Sequence, residues 1–154
     1  MASQSEALRI AVVHGPNLDL LGSREPDVYG SGTLEQLNER LVQLGRDVGA
    51  SLECVQANGE GTLVDHIQRL APGCSGFLVN AGAYTHTSIA LRDALVGVAR
   101  PFVEVHLSNV YAREPFRHQS YLADRAIGVV AGFGVSSYLL ALRALVDHLR
   151  AGNE

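Results

Sequence analysis

Short apolar runs alternate with longer amphipathic stretches along the chain. Runs that are rich in β-branched residues and bounded by glycine or proline are typical of buried strands. These runs are residues 8–13, 51–56, 76–79, 101–105 and 126–130. Between them, apolar side chains recur every three or four residues, which is the spacing of one helix face. The amphipathic stretches that predict helices are residues 34–48, 61–70, 85–98 and 136–149.

The first predicted helix carries boundary signals at both ends. Thr33 and Gln36 have the spacing of a capping box, in which each side chain bonds the backbone amide of the other residue. Gly49 suits the position after a helix, because glycine adopts the left-handed conformation at little cost. Residues 17–32, which precede this helix, are punctuated by glycine and proline and predict a loop.

The order of the elements predicts the fold class. Strands that alternate with helices form a parallel sheet covered by helices on both faces. With 154 residues, the chain has the size of a single domain, residues 1–154. We therefore expect an α/β, flavodoxin-like three-layer sandwich with a five-stranded parallel sheet. Ligands of such sheets bind beyond the carboxyl ends of the strands, so functional residues should follow the first, third and fourth strands.

Polar side chains cluster directly after those three strands. The segments hold histidines, arginines, amides and one tyrosine, which are the groups needed to clamp a small anion and to move protons. The candidate functional residues in these segments are Asn17, Arg24, Tyr29, Asn80, His86, His106, Leu107, Ser108 and Arg117.

Several of these residues also have a purely structural interpretation. Tyr29 could pack on the surface of its glycine-rich loop, and Arg24 could be a solvated charge. Asn80 could cap a turn, and His86 could bond backbone near the start of a helix. His106 ends a predicted inner strand, where a functional role is favoured. A metal site built from the two histidines lacks a close-spaced ligand motif.

Composition narrows the chemistry that the chain can perform. The sequence has no lysine, and its twelve basic side chains are all arginines. Schiff-base chemistry, a lysine-bound pyridoxal cofactor and a Walker-type phosphate loop are therefore excluded. The net charge of −4 does not favour a nucleic-acid partner. Any general base must be a tyrosine, histidine, aspartate or glutamate.

Location is predicted from hydropathy along the chain. The apolar runs are far shorter than the roughly 20 residues that span a bilayer, so we expect no membrane partner. The polar, acidic first seven residues do not have the pattern of a signal peptide. We expect a cytoplasmic protein in which Cys54 and Cys74 are reduced and packed in or near the core.

The ordered motifs of the chain resemble those of the type II 3-dehydroquinate dehydratases. The resemblance runs from residue 8 to about residue 145 and covers many separate blocks. The blocks are Gly-Pro-Asn-Leu at 15–18, Leu-Gly at 21–22, Arg-Glu-Pro at 24–26, Tyr-Gly at 29–30, Asn-Ala-Gly at 80–82, Thr-His-Thr-Ser at 85–88, Ala-Leu-Arg-Asp at 90–93, Glu-Val-His-Leu-Ser-Asn at 104–109, Arg-Glu at 113–114 and Arg117.

This resemblance implies a reaction and an assembly. The reaction is dehydration of 3-dehydroquinate to 3-dehydroshikimate through an enolate, in the shikimate route to aromatic compounds or in quinate breakdown. The family works without a metal or organic cofactor and is usually a homododecamer, a tetramer of trimers. The type I enzymes use a lysine Schiff base on a larger barrel, and the missing lysines exclude that type.

The resemblance also implies roles for individual residues. Tyr29 is the base that takes the proton alpha to the ketone, and the positive charge of Arg24 favours its ionised form. Asn17 helps to stabilise the enolate, and His106 protonates the departing hydroxyl as general acid. Asp93, by default an exposed helix charge, acts through a neighbouring subunit or an arginine partner. The substrate-binding residues are Asn80, His86, Asp93, Leu107, Ser108 and Arg117.

The chain departs from the family pattern at three positions. His14 stands where many relatives have Asn, and Ala57 and Gly59 are variants within residues 56–61. These changes concern substrate affinity and loop stability and leave the catalytic residues in place.

Two other functions were weighed against this one. The first is a non-catalytic phospho-receiver or flavin-binding module of the same fold, but the sequence lacks the clustered acids and the phosphate loop that such modules need. The second is an inactive homologue with a binding role, and the intact site residues speak against it.

Overall fold

The structure is a computed structural model that describes residues 7–23, 25, 27 and 32–152. Within these residues, five strands form one parallel sheet in the order β2-β1-β3-β4-β5. The strands are β1 (Leu8–His14), β2 (Ala50–Gln56), β3 (Gly76–Asn80), β4 (Phe102–His106) and β5 (Gly128–Ala131). The expected five-stranded parallel α/β architecture is confirmed, with each strand boundary within two residues of the predicted one.

Helices cover both faces of this sheet. They are α1 (Leu34–Val48), α2 (Glu60–Leu70), α3 (Ile89–Val98) and α4 (Val135–Ala151). One apolar core packs α1 and α4 against the sheet, and a second core packs α2 and α3 against the opposite face. Because side chains alternate along a strand, Ile10 and Val12 enter the first core while Ala11 and Val13 enter the second.

The capping signals of α1 are confirmed. The Gln36 amide donates to the Thr33 hydroxyl at 3.2 Å, and the Thr33 amide donates to the Gln36 side-chain oxygen at 3.0 Å. Gly49 follows the helix in the left-handed conformation, with φ of 82°. The residues at each end of this helix therefore satisfy backbone groups that the helix itself leaves without partners.

The predicted helix at residues 85–98 is shorter than expected. A 3₁₀ turn occupies Gly82–His86, and the α-helix begins only at Ile89. The cause is Ser88, whose hydroxyl accepts from the Leu91 amide at 2.9 Å and caps the helix there. His86 consequently lies in the turn that follows β3, before the helix.

The order of strands reverses beside β1, which creates a crevice at the carboxyl ends of β1 and β3. The turns after these strands approach closely at Gly15, whose amide donates to the Asn80 carbonyl at 2.7 Å. A Cβ atom at Gly15 would lie 2.5 Å from the backbone of Ala81. Glycine is therefore required for the two turns to meet.

Three further observations bear on the expectations from composition. Both cysteines are free thiols at half-buried positions. Within the described chain, no helix has the length and apolarity to cross a membrane. Among the same residues, no group of three or more histidine, cysteine or acidic side chains is placed to hold a metal ion.

Candidate active site

A cleft of about 90 Å³ lies at the carboxyl ends of β1, β3 and β4. It is lined by the residues that directly follow each of these strands, as the strand order predicts. The lining residues are Pro16, Asn17, Leu18, Asn80, Gly82, Ala83, His86, His106, Leu107, Ser108, Val110, Arg113 and Arg117. Seven of the predicted site residues are among them.

A larger groove of about 370 Å³ lies toward the amino-terminal ends of the strands, where Arg9, Ser51 and Cys74 contribute to its walls. Its ion pair, between Arg69 and Glu53, is more than half exposed on both sides. No histidine or amide side chain lines it. We therefore assign the site to the smaller cleft, which collects the groups that can bind an anion and move protons.

Three predicted site residues are not part of this cleft as described. Arg24 and Tyr29 lie outside the described residues. Asp93 is exposed on α3 and does not line the cleft. Its neighbour Arg92 pairs with Asp124 instead. A role for Asp93 in substrate binding therefore stays a prediction that depends on a neighbouring subunit.

A buried acid–base pair forms one wall of the cleft. His106 Nε2 lies 2.7 Å from Glu104 Oε2, and both side chains are at least 94% buried. The second carboxylate oxygen, Oε1, accepts from the Ser120 hydroxyl at 2.6 Å. Ser120 in turn accepts from the amides of Leu122 and Ala123. The carboxylate is thus held on both oxygens, as a buried charge requires.

This hydrogen bond determines which ring nitrogen of His106 can contact a substrate. A carboxylate only accepts, so Nε2 carries the proton that Glu104 receives. Nδ1 is then the nitrogen on the far side of the ring from Glu104. The hydrogen bond to Glu104 also fixes the orientation of the imidazole ring in the wall of the cleft.

Glu104 is a candidate site residue to which the sequence motifs gave no role of its own. Residues two apart on a strand share a face, so Glu104 and His106 had to lie side by side if 102–106 formed a strand. An acid inside an otherwise apolar strand is itself unusual, because buried carboxylates need partners. That combination was the available signal.

His86 stands across from His106 with its ring nearly parallel, at a centroid distance of 6.4 Å. Its Nδ1 lies 2.7 Å from the Gln119 carbonyl and must donate to it, which leaves Nε2 as an acceptor. Burial lowers the pKa of His86 below its ordinary value, against the raising effect of the Gln119 carbonyl. A neutral imidazole in this state can accept a hydrogen bond from a substrate hydroxyl.

Asn17 occupies a tight turn after β1 in the left-handed conformation, with φ of 68°. The backbone amide of Asn17 donates to Asn58 Oδ1 at 3.0 Å. The Gln56 side chain also donates to this oxygen, and the Tyr84 hydroxyl donates to the Asn58 carbonyl at 2.7 Å. Gln56 and Asn58, within the variant segment at 56–61, therefore contact the site and support the backbone of Asn17.

Two arginines give the cleft its positive charge. Arg117 Nε donates to Glu114 Oε1 at 3.2 Å, and its guanidinium lies 5.1 Å from the Phe116 ring centroid. Arg113, which the sequence analysis did not assign to the site, bonds the Ser108 hydroxyl at 3.4 Å. Guanidinium groups bind carboxylates through paired hydrogen bonds, so this end of the cleft suits a substrate carboxylate.

Leu107 contributes through its backbone. Its side chain is buried in the apolar core beside α1 and α4. Its carbonyl accepts from the Gly134 amide at 2.9 Å. The Leu107 amide is therefore the polar group that this residue can offer to a ligand in the cleft.

His14 is fully buried between the sheet, α1 and α4, beside the turn that carries Asn17. Its Nε2 lies 2.7 Å from Asn38 Oδ1, and its Nδ1 lies 2.9 Å from the Tyr138 hydroxyl. Both partners are neutral. Burial lowers the pKa of His14 from 6.5 to about 4, so the ring is uncharged at neutral pH.

Stability in acid should depend on this histidine. The unfolded chain takes up a proton near pH 6.5, whereas the folded chain takes it up only near pH 4. The free energy of unfolding is therefore fully retained above pH 6.5 and falls by about 3 kcal/mol as the pH drops through this window. Denaturant unfolding at pH 7 and 4.5 should show that wild type loses about 2 kcal/mol more than His14→Asn. Equal losses would contradict the assignment.

The fold and the cleft together define a parallel α/β protein with an acid–base site for a small anion. Comparison with known proteins specifies the family. The family model for class II dehydroquinase matches residues 8–146. The chain therefore belongs to the class II dehydroquinase family, which confirms the resemblance seen in the motifs.

Individual relatives agree along nearly the whole chain. A protein of Parasynechococcus marenigrum named 3-dehydroquinate dehydratase is 61% identical over 93% of this chain and 98% of its own length. A protein of Bordetella avium with the same name is 58% identical over 92% and 99%. The crystal structure of a type II dehydroquinase from Butyrivibrio crossotus has a TM-score of 0.88 and 38% identity, covering 95% of this chain and 99% of that one.

Proposed function

We propose that this chain is a 3-dehydroquinate dehydratase, a hydro-lyase that converts 3-dehydroquinate to 3-dehydroshikimate through an enolate in the shikimate pathway. The observation that carries the proposal is the buried His106–Glu104 pair, at 2.7 Å, opening onto a cleft that also holds arginines and amides. Membership of the class II dehydroquinase family supports the same activity.

Substrate binding uses the two ends of the cleft. The carboxylate of the substrate accepts from Arg117, the Leu107 amide and the Ser108 hydroxyl, which are all donors. The ring hydroxyls contact His86 and Asn80, which line the part of the cleft that follows β3. Several convergent contacts hold the ring in one orientation, which is a large part of the rate gain in a one-substrate reaction.

The first chemical step is removal of the proton alpha to the ketone. Tyr29 takes this proton on its phenolate oxygen, and the electron pair of the C–H bond moves into an enolate. Arg24, five residues before Tyr29 in the sequence, carries a positive charge of the sign that favours the ionised tyrosine. Asn17, in its fixed left-handed turn, stabilises the enolate oxygen through a water.

The second step expels the hydroxyl. The enolate collapses, the carbon–oxygen bond breaks, and His106 gives its Nδ1 proton to the leaving oxygen, so that water departs. Glu104 holds the imidazolium in place before this transfer and keeps Nε2 protonated afterwards. Return of the proton from Tyr29 to His106 through solvent restores the starting state.

An absorbance assay tests the proposed function. Purified protein mixed with 3-dehydroquinate and a chelator should produce a steady rise in ultraviolet absorbance, because the product is a conjugated enone. A rise that survives the chelator supports a dehydratase that needs no dissociable metal. Folded protein that produces no rise would point instead to an inactive homologue with a binding role.

Assembly and location remain expectations from the family resemblance. We propose a homododecamer built as a tetramer of trimers, and a cytoplasmic location. The exposed position of Asp93 on α3 fits a residue that acts at a contact with a neighbouring subunit.

A further inference from the structure

A row of buried polar side chains runs from α1 to the cleft, on the face of the sheet that α1 and α4 cover. Asn38 on α1 bonds His14 at the end of β1, and His14 bonds Tyr138 on α4. Asn80, which lines the cleft, pairs in register with His14 on the neighbouring strand, so its side chain lies on the same face of the sheet as His14 and Tyr138. His14 and Tyr138 are completely buried, and Asn80 is 4% exposed.

The direction of each hydrogen bond follows from the groups involved. Asn38 offers its carbonyl oxygen, so His14 Nε2 carries the proton and Nδ1 is an acceptor. Tyr138 therefore donates its hydroxyl proton to Nδ1. Burial raises the pKa of Tyr138, which keeps this proton in place. The Tyr138 oxygen is then free to accept from the Asn80 amide group.

The hydrogen bonds of the Asn80 side chain also determine which of its groups is available to a ligand in the cleft. Its Oδ1 accepts from the Gly82 amide at 3.1 Å, which leaves its Nδ2 group for the Tyr138 oxygen and the cleft. The group that remains for a ligand is the second Nδ2 hydrogen, a donor. A flipped amide would place its NH₂ against the Gly82 amide and its oxygen in the cleft, and the hydrogen bond from Tyr138 to His14 opposes that flip.

We propose that His14 and Tyr138 are positioning residues that hold the Asn80 amide with its N–H toward a substrate oxygen. This inference rests on the proposed function, because it concerns the binding of the same substrate. Neither residue touches the reacting atoms, so their removal should weaken binding and leave the chemical step unchanged.

Steady-state kinetics of Tyr138→Phe tests the proposal, since this change removes one oxygen and keeps the buried ring. KM for 3-dehydroquinate should rise about 5- to 10-fold, the equivalent of one lost hydrogen bond, while kcat stays within about 2-fold of wild type. On an Asn80→Ala background, Tyr138→Phe should change KM less than about 2-fold, because the two residues act in series.

Two substitutions at His14 provide a second test. Asparagine retains one donor and one acceptor, as neutral imidazole does, so His14→Asn should keep KM within about 2-fold of wild type. Leucine offers neither group, and His14→Leu should raise KM as Tyr138→Phe does. A KM that is equally high or equally normal in both variants would overturn the role of His14.

Leu142→Val is the matched control for a loosened helix. Leu142 is one turn beyond Tyr138 on α4, is fully buried and belongs to the same apolar core. Its KM should equal that of wild type. With an active wild type, three outcomes would each overturn the positioning role and leave the proposed function intact. They are a rise in KM of Leu142→Val equal to that of Tyr138→Phe, a normal KM in Tyr138→Phe, and a Tyr138→Phe effect confined to kcat. A wild type that neither binds nor dehydrates 3-dehydroquinate would overturn the proposed function first, and this role with it.

Discussion

Replacing His106 with alanine should lower kcat by about 10²- to 10⁴-fold, the usual contribution of a positioned general acid. The leaving hydroxyl would then depart without a proton from the enzyme. The proton on Nδ1 and the charge stabilisation by Glu104 are lost together, because the pair acts as one unit. KM should change much less, since the carboxylate and ring hydroxyls of the substrate bind elsewhere in the cleft.

Glu104→Gln tests the contribution of Glu104 while His106 is still present. The glutamine keeps the size of the side chain and removes its negative charge, so the imidazolium loses its main stabilising partner. A hydrogen bond to a charged group contributes about 1.5–3 kcal/mol, which predicts a fall in kcat of about 10- to 100-fold.

The control for both variants is His148→Ala. His148 is exposed on α4, away from the cleft, and its loss should leave kcat unchanged. Progress curves of enone formation at saturating substrate, with circular dichroism to verify folding, measure all three proteins. His106→Ala with kcat near that of wild type would remove His106 from the role of general acid.

Replacing Tyr29 with phenylalanine should reduce turnover by about 10³-fold or more, because the phenolate that takes the alpha proton is absent. A free tyrosine has a pKa near 10, so only about one molecule in a thousand is ionised at pH 7. The enzyme must stabilise the ionised form by about 4 kcal/mol to ionise half of the tyrosine at pH 7, and Arg24 supplies a positive charge of the required sign.

Binding should survive in this variant. Calorimetry of Tyr29→Phe with 3-dehydroquinate should give a Kd close to the KM of wild type, since the groups that clamp the substrate are unchanged. Tyr111→Phe is the matched control, because Tyr111 is 67% exposed and lies outside the cleft lining. Normal turnover by Tyr29→Phe would exclude Tyr29 as the base.

Much of the candidate site could be predicted from the sequence because strand order and sequence position alone bring these residues to one edge of the sheet. Asn17, Asn80 and His106 each follow a strand whose carboxyl end reaches the crevice, so the fold brings them together. The position of Asp93 could not be interpreted in this way. It lies on a helix, where sequence position does not say which surface a side chain meets in an assembly.

The elements themselves were determined by local physics that the sequence displays directly. The nearly continuous apolar run in 8–13 predicts a strand buried on both faces, and the capping pair at Thr33 and Gln36 specifies where α1 begins. These signals act over a few residues and do not depend on distant contacts. The start of α3 was mispredicted because the hydroxyl of Ser88 outweighs the helical spacing of the residues before it.

Only the tertiary structure decided which polar groups are partners. Ser120 reaches Glu104 across 16 residues, and Tyr138 reaches His14 across 124. Hydrogen bonds of this kind depend on how elements distant in sequence pack, and hydrophobic spacing carries no information about them. The sequence by itself therefore determined the family, the sheet and the edge at which the candidate site lies. The packing determined that Glu104 bonds His106 and that His14 bonds Asn38 and Tyr138.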